Sequence, residues 1–341
     1  MKYFLSFSAF FVLFAIYTNA AIIRVNNQPG ISANATTLQG AHDIANIGDT
    51  IHLESSTLDY GAVTLTKQLV IIGTGYFLGS NPQTQALLAG SKIGSIYFDA
   101  GSENSVIMGC EISGKIYFRT SNICVMRNKI NGNFEIGNST SGANLTNFLI
   151  KQNYISWYAY NQGTLINNFN NPYVSNLHIK NNILIQTYTG GSYNILELNA
   201  NFSGNIENNV IQNANSNSIS IYNFTLKNNI LNQGAVSLGN CQTFNNIANY
   251  TQFGTQDGNQ SNVVFQDLFV GSTTTSPDGY YQLSVSSLAS GAGENGTDCG
   301  VFGGSDPYVL SGMPGVPAIY YFSITGTGTQ SQVKIKVKSH N

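Results

Sequence analysis

Glu135 and Glu197 are carboxylates in repeated surroundings, and a pair of carboxylates is what cleavage of a glycosidic bond requires. Each stands second in a four-residue phrase. Ile96-Tyr97-Phe98-Asp99, Ile116-Tyr117-Phe118-Arg119 and Phe134-Glu135-Ile136-Gly137 share it, and Leu196-Glu197-Leu198-Asn199, Ile219-Ser220-Ile221-Tyr222 and Val236-Ser237-Leu238-Gly239 follow. In a strand the apolar first and third residues point inward, while the second and fourth face solvent. Stacked strands would then carry two outward columns. One reads Tyr97, Tyr117, Glu135, then Glu197, Ser220 and Ser237; the other reads Asp99, Arg119, Gly137, Asn199 and Tyr222. Tyr97, Asp99, Tyr117, Arg119 and Glu135 form the candidate ligand-binding set, with tyrosine faces for pyranose rings and charged groups for directional hydrogen bonds.

For catalysis the candidates are Glu135, Glu197 and Arg119. With one coil between them, around Trp157 to Tyr160, the two carboxylates would have backbones about 10 Å apart at about 4.8 Å per coil, compatible with an acid/base pair that inverts a sugar centre. The plainer reading is favoured: tyrosine on tyrosine is an ordinary aromatic ladder, and Asp99 beside Arg119 is a surface ion pair worth about 0–1 kcal/mol. Lys115, Arg119, Arg127 and Lys129 suggest a lyase, which needs a base for the proton beside a uronate and a cation for the developing charge. No clustered Asp or Glu offers a calcium cage, and no metal or other cofactor is expected.

The elements that must position these residues announce themselves through a second repeat. Six times an aliphatic or similar residue and two variable positions lead to an asparagine: Asn128, Asn153, Asn182, Asn209, Asn229 and Asn246. The spacings are 25, 29, 27, 20 and 17 residues, so the coil core is near the shortest, and the longer coils carry loops, most clearly around Gly163 to Ser175. A stacked β-coil buries its aliphatics against neighbouring coils, and an asparagine both tolerates a left-handed bend and bonds to the asparagines above and below. Every coil is expected to hold at least two strands. Lys151, Lys180, Glu207 and Lys227, two residues before their asparagines, would stack with Glu207 between two lysines, a solvated face rather than an anion site.

The ends are expected to be caps. Lys2, the apolar run Tyr3 to Tyr17 and Thr18-Asn19-Ala20 have the order of a secretory signal peptide cleaved after Ala20, and the run is short for a bilayer span. No Cys near that point marks a lipoprotein. Residues 21–60 read as an N-terminal cap: Thr36 and Gln39 have capping-box spacing, and Leu38, Ala41, Ile44 and Ala45 form an apolar helical stripe. The parallel β-helix is assigned to 61–304 and a C-terminal cap with tail strands to 305–341, where Val333, Ile335 and Val337 alternate with Lys334, Lys336 and Lys338 as in a lysine-guarded edge strand.

The asparagine phrases, the helix followed by Gly48-Asp49-Thr50-Ile51, and the closing Asp298-Cys299-Gly300-Val301-Phe302-Gly303 together resemble the secreted bacterial right-handed parallel β-helix proteins of the pectin-lyase-like superfamily, over about residues 22–305. The resemblance implies an all-β solenoid with an N-terminal capping helix and a small C-terminal β extension. It also implies that any site lies outside the sheet bearing Tyr97, Tyr117 and Glu135. The superfamily holds lyases, hydrolases, esterases, tailspikes and members of no known activity, so it transfers no catalytic residue here. The paired aspartates of its pectin-hydrolysing members are missing.

Composition narrows the partners. Charged residues make up 9% and the net charge is -2, so no basic face exists to neutralise phosphates and nucleic acid is excluded. An exterior rich in Asn, Thr, Ser and Gly suits neutral, hydroxyl-rich ligands. Asn-x-Ser/Thr triplets at Asn34, Asn138, Asn144, Asn201, Asn223, Asn249 and Asn295 matter only where the host glycosylates. Cys110 stands where Asn128 stands one coil later, so Cys124 lies four residues, about 13 Å, to the side, and buried free thiols are expected instead of a disulfide. The functional expectation is a secreted or cell-surface β-helix, without a membrane span in the mature chain, that contacts extracellular polysaccharide without catalysis. The alternatives are a polysaccharide lyase or glycoside hydrolase on the outer face, and a structural or adhesive rod binding protein.

Overall fold

A computed structural model describes residues 20–157, 163–190, 193–213, 217–274, 276–327 and 330–340; the expected signal segment, apart from Ala20, lies outside them. The chain winds as a parallel β-helix. Ten parallel strands, from Ile22–Val25 through Ile123–Met126 and Tyr173–Lys180 to Gln242–Phe244, form the longest sheet. A second sheet of eight runs from Ser91–Ile93 to Ile247–Ala248, and a third of five from Val63–Leu65 to Ile166–Asn168. Leu196–Leu198, Asn217–Tyr222 and Ala235–Gly239 make a separate three-stranded sheet in the later coils. The full coils therefore carry three strands, one more than the minimum read from the repeat.

Register is set by like residues meeting like. Ile96 pairs with Ile116 and Phe98 with Phe118, while Val125 pairs with Ile107 below and Ile150 above. A slip of one residue would turn every such column outward, which pins the stack. Phe98, Phe118, Phe134 and Phe148 fill the interior with no solvent exposure, and the Phe118 and Phe148 rings stack at 4.9 Å.

The asparagines form the expected buried ladder, with a division of labour that the repeat did not reveal. The left-handed residue is the one before each ladder asparagine: Arg127, Gln152, Asn181, Asn208, Asn228 and Asn245 have φ between 53° and 57°. The ladder asparagine itself works through its amide. Asn182 Oδ1 accepts the Asn153 backbone N–H and Nδ2, both at 3.0 Å, and its own Nδ2 donates to the Ile150 carbonyl at 2.8 Å. The ladder begins at Cys110, whose N–H bonds Asn128 Oδ1, and ends at Asn259, which accepts from Asn246.

At the N-terminal end the helix Leu38–Ile44 closes the stack, but its cap is Thr37, whose side chain accepts the Gly40 N–H at 3.0 Å, and not Thr36. Starting one residue later puts Gln39 out of capping-box position. Its side chain instead donates to Asp43 and accepts the Thr64 N–H. Leu38, Ala41 and Ala45 are buried as expected, whereas Ile44 is exposed. All four cysteines are free, with Cys110 and Cys299 buried.

The coil strands, expected as far as 304, end at Ile247–Ala248. From there a strap of short 3-10 turns runs back along the outside of the second sheet. Ile183, Val210, Ile230 and Ile247 point outward from that sheet and are buried by Phe265, Phe269, Tyr281, Val301 and Tyr308. The left-handed corner residues hold the strap as it descends. Asn245 donates to Ala292, Asn208 to Asp298, Asn181 to Val301 and Gly303, Gln152 to Pro307, and Arg127 to Met313. Gly300, at φ +83°, lies against Ile230, where a Cβ would come within 2.8 Å. Beyond the strap, Ala318–Thr327 and Gln330–Lys338 form an antiparallel ribbon. Among the described residues no helix is long and apolar enough to cross a membrane.

Candidate functional site

The third sheet brings the predicted binding set together. Its strands are three residues long because each coil must turn after burying two apolar residues, so the outward residues fall into short vertical columns. Tyr97 pairs with Tyr117, and Tyr117 with Glu135. The tyrosine rings lie 4.2 Å apart and 8° from parallel. That contact spends one face of each ring on the other, so the pair is an aromatic ladder with only its rims left open. Burial and the neighbouring Tyr97 hydroxyl raise the Tyr117 phenol above its ordinary value.

Arg119 organises the site. Its guanidinium lies 4.8 Å from the Tyr97 ring centre and 5.4 Å from that of Tyr117, and Nη1 donates to Asp99 Oδ1 at 3.1 Å. These contacts fix a half-exposed charge in one orientation. Beside it opens a depression of about 590 Å³ lined by Asp99, Arg119, Asn138, Thr140 and Phe169. Phe169 is 45% exposed, a free aromatic surface on a wall otherwise polar. Phe169 did not stand out in the sequence, and Asn138 did so only as the first residue of an Asn-x-Ser/Thr triplet. Phe169 immediately follows the strand Ile166–Asn168, in the loop-bearing coil, and that position was the signal. Asn138 Nδ2 bonds the Arg119 carbonyl at 3.2 Å, which ties this loop to the coil beneath.

The two glutamates do not converge on this depression. Glu135 is 4.0 Å from Lys115 and pairs in register with Asn167 of the next coil. Asn167, on the strand Ile166–Asn168, therefore occupies the intervening coil, and not the segment expected there around Trp157 to Tyr160. Trp157 belongs to the second sheet and is buried, and residues 158–160 lie outside the described ones. Glu197 is exposed, with Asn194 donating to it at 3.2 Å.

The basic cluster that suggested a lyase is dispersed by the fold. Lys115 faces Glu135, Lys129 pairs with Glu111 at 3.0 Å on the second sheet, and Arg127 lies at a corner beneath the strap. The lysine column stacks as read: Lys151 on Lys180, Lys180 on Glu207 and Glu207 on Lys227, with Lys227 also reaching Glu294 at 3.0 Å. A second cleft, about 620 Å³, lies between the strap and the tail. Its charged groups are held by neighbours: Arg127 donates to the Met313 and His340 carbonyls, Asp306 pairs with Lys151, and Lys338 donates to Gln83. Among the described residues no three His, Cys, Asp or Glu side chains gather in a metal-holding group.

No protein-family model matches the chain, and no curated protein matches it.

Proposed function

We propose that this chain is a secreted parallel β-helix of the pectin-lyase-like kind that holds a neutral, hydroxyl-rich polysaccharide on its third sheet without cleaving it. One observation carries the reading: an exposed aromatic ring, Phe169, and a fixed Asp99–Arg119 pair line the same depression. A sugar presents an apolar ring face and equatorial hydroxyls at once, and it is recognised by an aromatic surface with oriented hydrogen-bond donors and acceptors beside it. Binding without turnover is supported by Glu135 and Glu197 standing away from that depression, one beside a lysine and the other in solvent. Export from the cell follows from the first twenty residues.

Retention on gels of neutral and acidic polysaccharides, together with titration calorimetry on soluble oligosaccharides, tests the reading. Phe169→Ala and Arg119→Ala are each expected to weaken binding by about ten-fold, the equivalent of about 1.4 kcal/mol. Glu135→Gln with Glu197→Gln should leave it unchanged. New reducing ends or unsaturated uronates that vanish in the Glu135→Gln, Glu197→Gln variant would overturn it in favour of a hydrolase or lyase. N-terminal sequencing of protein recovered from culture medium should begin at Ala21; an intact Met1 would refute the export step.

A further inference from the structure

The C-terminal ribbon has two unlike faces. Ile319 pairs with Val337, Phe322 with Ile335 and Ile324 with Val333, so these six side chains lie on one face. All six are exposed, from 46% at Ile319 to 60% at Ile324. Ala318, Tyr321 and Ser323 pair with Lys338, Lys336 and Lys334, so the three lysines lie on the other face. Lys334 and Lys336 reach over the Tyr321 ring at 5.9 and 5.4 Å. The ribbon is rooted at its base only: Ala318 packs with Leu78 and Met313, and the Ala86 N–H bonds the Ile319 carbonyl at 2.7 Å. Next to that root stand Leu87 and Leu88, 68% and 61% exposed, which extend the apolar surface.

A two-stranded ribbon alone in water is marginally stable, and an apolar face of this size is what a monomer ordinarily covers. Alternating apolar and lysine positions are the pattern of one layer of a β-sandwich, whose second layer is another apolar sheet face. We infer that the second layer is the same ribbon of a second copy, packed face to face about a two-fold axis. Such an axis lets one self-complementary patch meet itself. Charge favours this occupant over an anionic membrane surface. In the sandwich all six lysines of the pair stand on the outer faces in water, whereas burying the apolar face in a bilayer would turn the lysines away from the lipid headgroups they should contact. Area allows it too. The six side chains expose on the order of 500 Å² per copy, so the dimer buries on the order of 1,000 Å², the lower bound for a specific interface. An interface at that lower bound suits a reversible dimer rather than an obligate one.

Sedimentation velocity of the full-length mature protein, over about 1 to 100 µM, reads the association directly. The wild type is expected to pass from monomer to dimer across that range. Ile324→Lys with Ile335→Lys should remain monomeric throughout while the β-helix keeps its circular dichroism and melting temperature, since the ribbon is outside the coils. Lys334→Glu with Lys336→Glu, on the opposite face, should dimerise like the wild type. A wild-type monomer up to the highest concentration would overturn the inference, as would a dimer that survives the Ile324→Lys, Ile335→Lys variant. A monomeric wild type that pellets with phosphatidylglycerol vesicles would assign the face to a membrane instead. None of these readouts depends on polysaccharide binding.

Discussion

At the scale of single residues, the ladder asparagines and the free thiols carry the clearest consequences. Asn182 is fully buried and every polar atom of its amide is engaged. Asn182→Ala would take the Oδ1 acceptor from the Asn153 N–H and the amide donor from the Ile150 carbonyl in a dry interior, and a buried polar group left unpaired costs about 1–3 kcal/mol. With the cavity added, about 3–5 kcal/mol of unfolding free energy should be lost, measurable by urea denaturation. An equally buried change away from the ladder, such as Ile206→Val, should cost only about 1 kcal/mol. The thiols behave differently from catalytic cysteines. Burial pushes Cys124 up to about 11 and Cys299 up to about 12, and pushes Cys110 higher still. In the native protein at pH 8 they should react with iodoacetamide at least about 100-fold more slowly than an exposed cysteine, and at the ordinary rate in denaturant. Rapid labelling of Cys299 in the native state would contradict its position beneath the strap.

Among elements, the strap is the one whose loss should matter most. It ends in a knot around Asp278, which is fully buried and accepts hydrogen bonds from Asn81, Ser276, Gly279, Tyr308 and Ser311. Tyr76 joins through its hydroxyl contact with Tyr308 at 2.5 Å. Asp278→Ala removes the shared acceptor: the Ser276 hydroxyl and the Ser311 N–H lose their partner, while Asn81, Gly279 and Tyr308 keep bonds to Ser311, Ser276 and Tyr76, so a loss of about 3–5 kcal/mol is expected. The failure should also be local: the strap lifts before the coils unwind, exposing Ile183, Val210 and Ile230. Limited proteolysis should then cut first within 262–313 and leave residues 21–248 as a resistant core. Simultaneous loss of both parts would show that strap and coils unfold as one unit. Repeat stacks with nearest-neighbour contacts favour the stepwise outcome.

For the whole molecule, stability should fall on both sides of neutrality. Burial holds His52 below its ordinary 6.5, so below that pH the unfolded chain binds a proton that the folded chain lacks. Burial also pushes Glu54 up, but hydrogen bonds from Arg24 and Asn26 outweigh it and hold the carboxyl below its ordinary 4.5. Its contribution is present above that value and lost as the pH falls further. The melting temperature should therefore decline in two stages between pH 7 and pH 3, and His52→Gln should remove the upper one. On the alkaline side burial raises Tyr60 and Tyr154 to about 12. The stability they contribute is complete below their ordinary value of 10 and disappears as the pH rises through 12. A melting temperature flat from pH 4 to pH 11 would contradict this assignment.

The period of the fold was legible in the chain because stacking repeats an environment. Each ladder position needs the same amide, each inward position an aliphatic or a phenylalanine, and both recur at visible spacing from Asn128 to Asn246. Tyr97, Tyr117, Asp99 and Arg119 were legible for the same reason, being neighbours in a column whose register follows from the repeat. Even the strap had left a trace: Asn182-Ile183-Leu184, Asn209-Val210-Ile211 and Asn229-Ile230-Leu231 carry two adjacent aliphatics, as strands buried on both faces must. What covers those outer aliphatics is a non-repeating segment, and such a segment offers no periodicity to read. Only the tertiary structure brought Phe169 beside Arg119, put Asn167 between Glu135 and the coil of Glu197, and sent Arg127 beneath the strap. Within a coil, loop length is free to vary, so contacts between loops of different coils follow from packing alone.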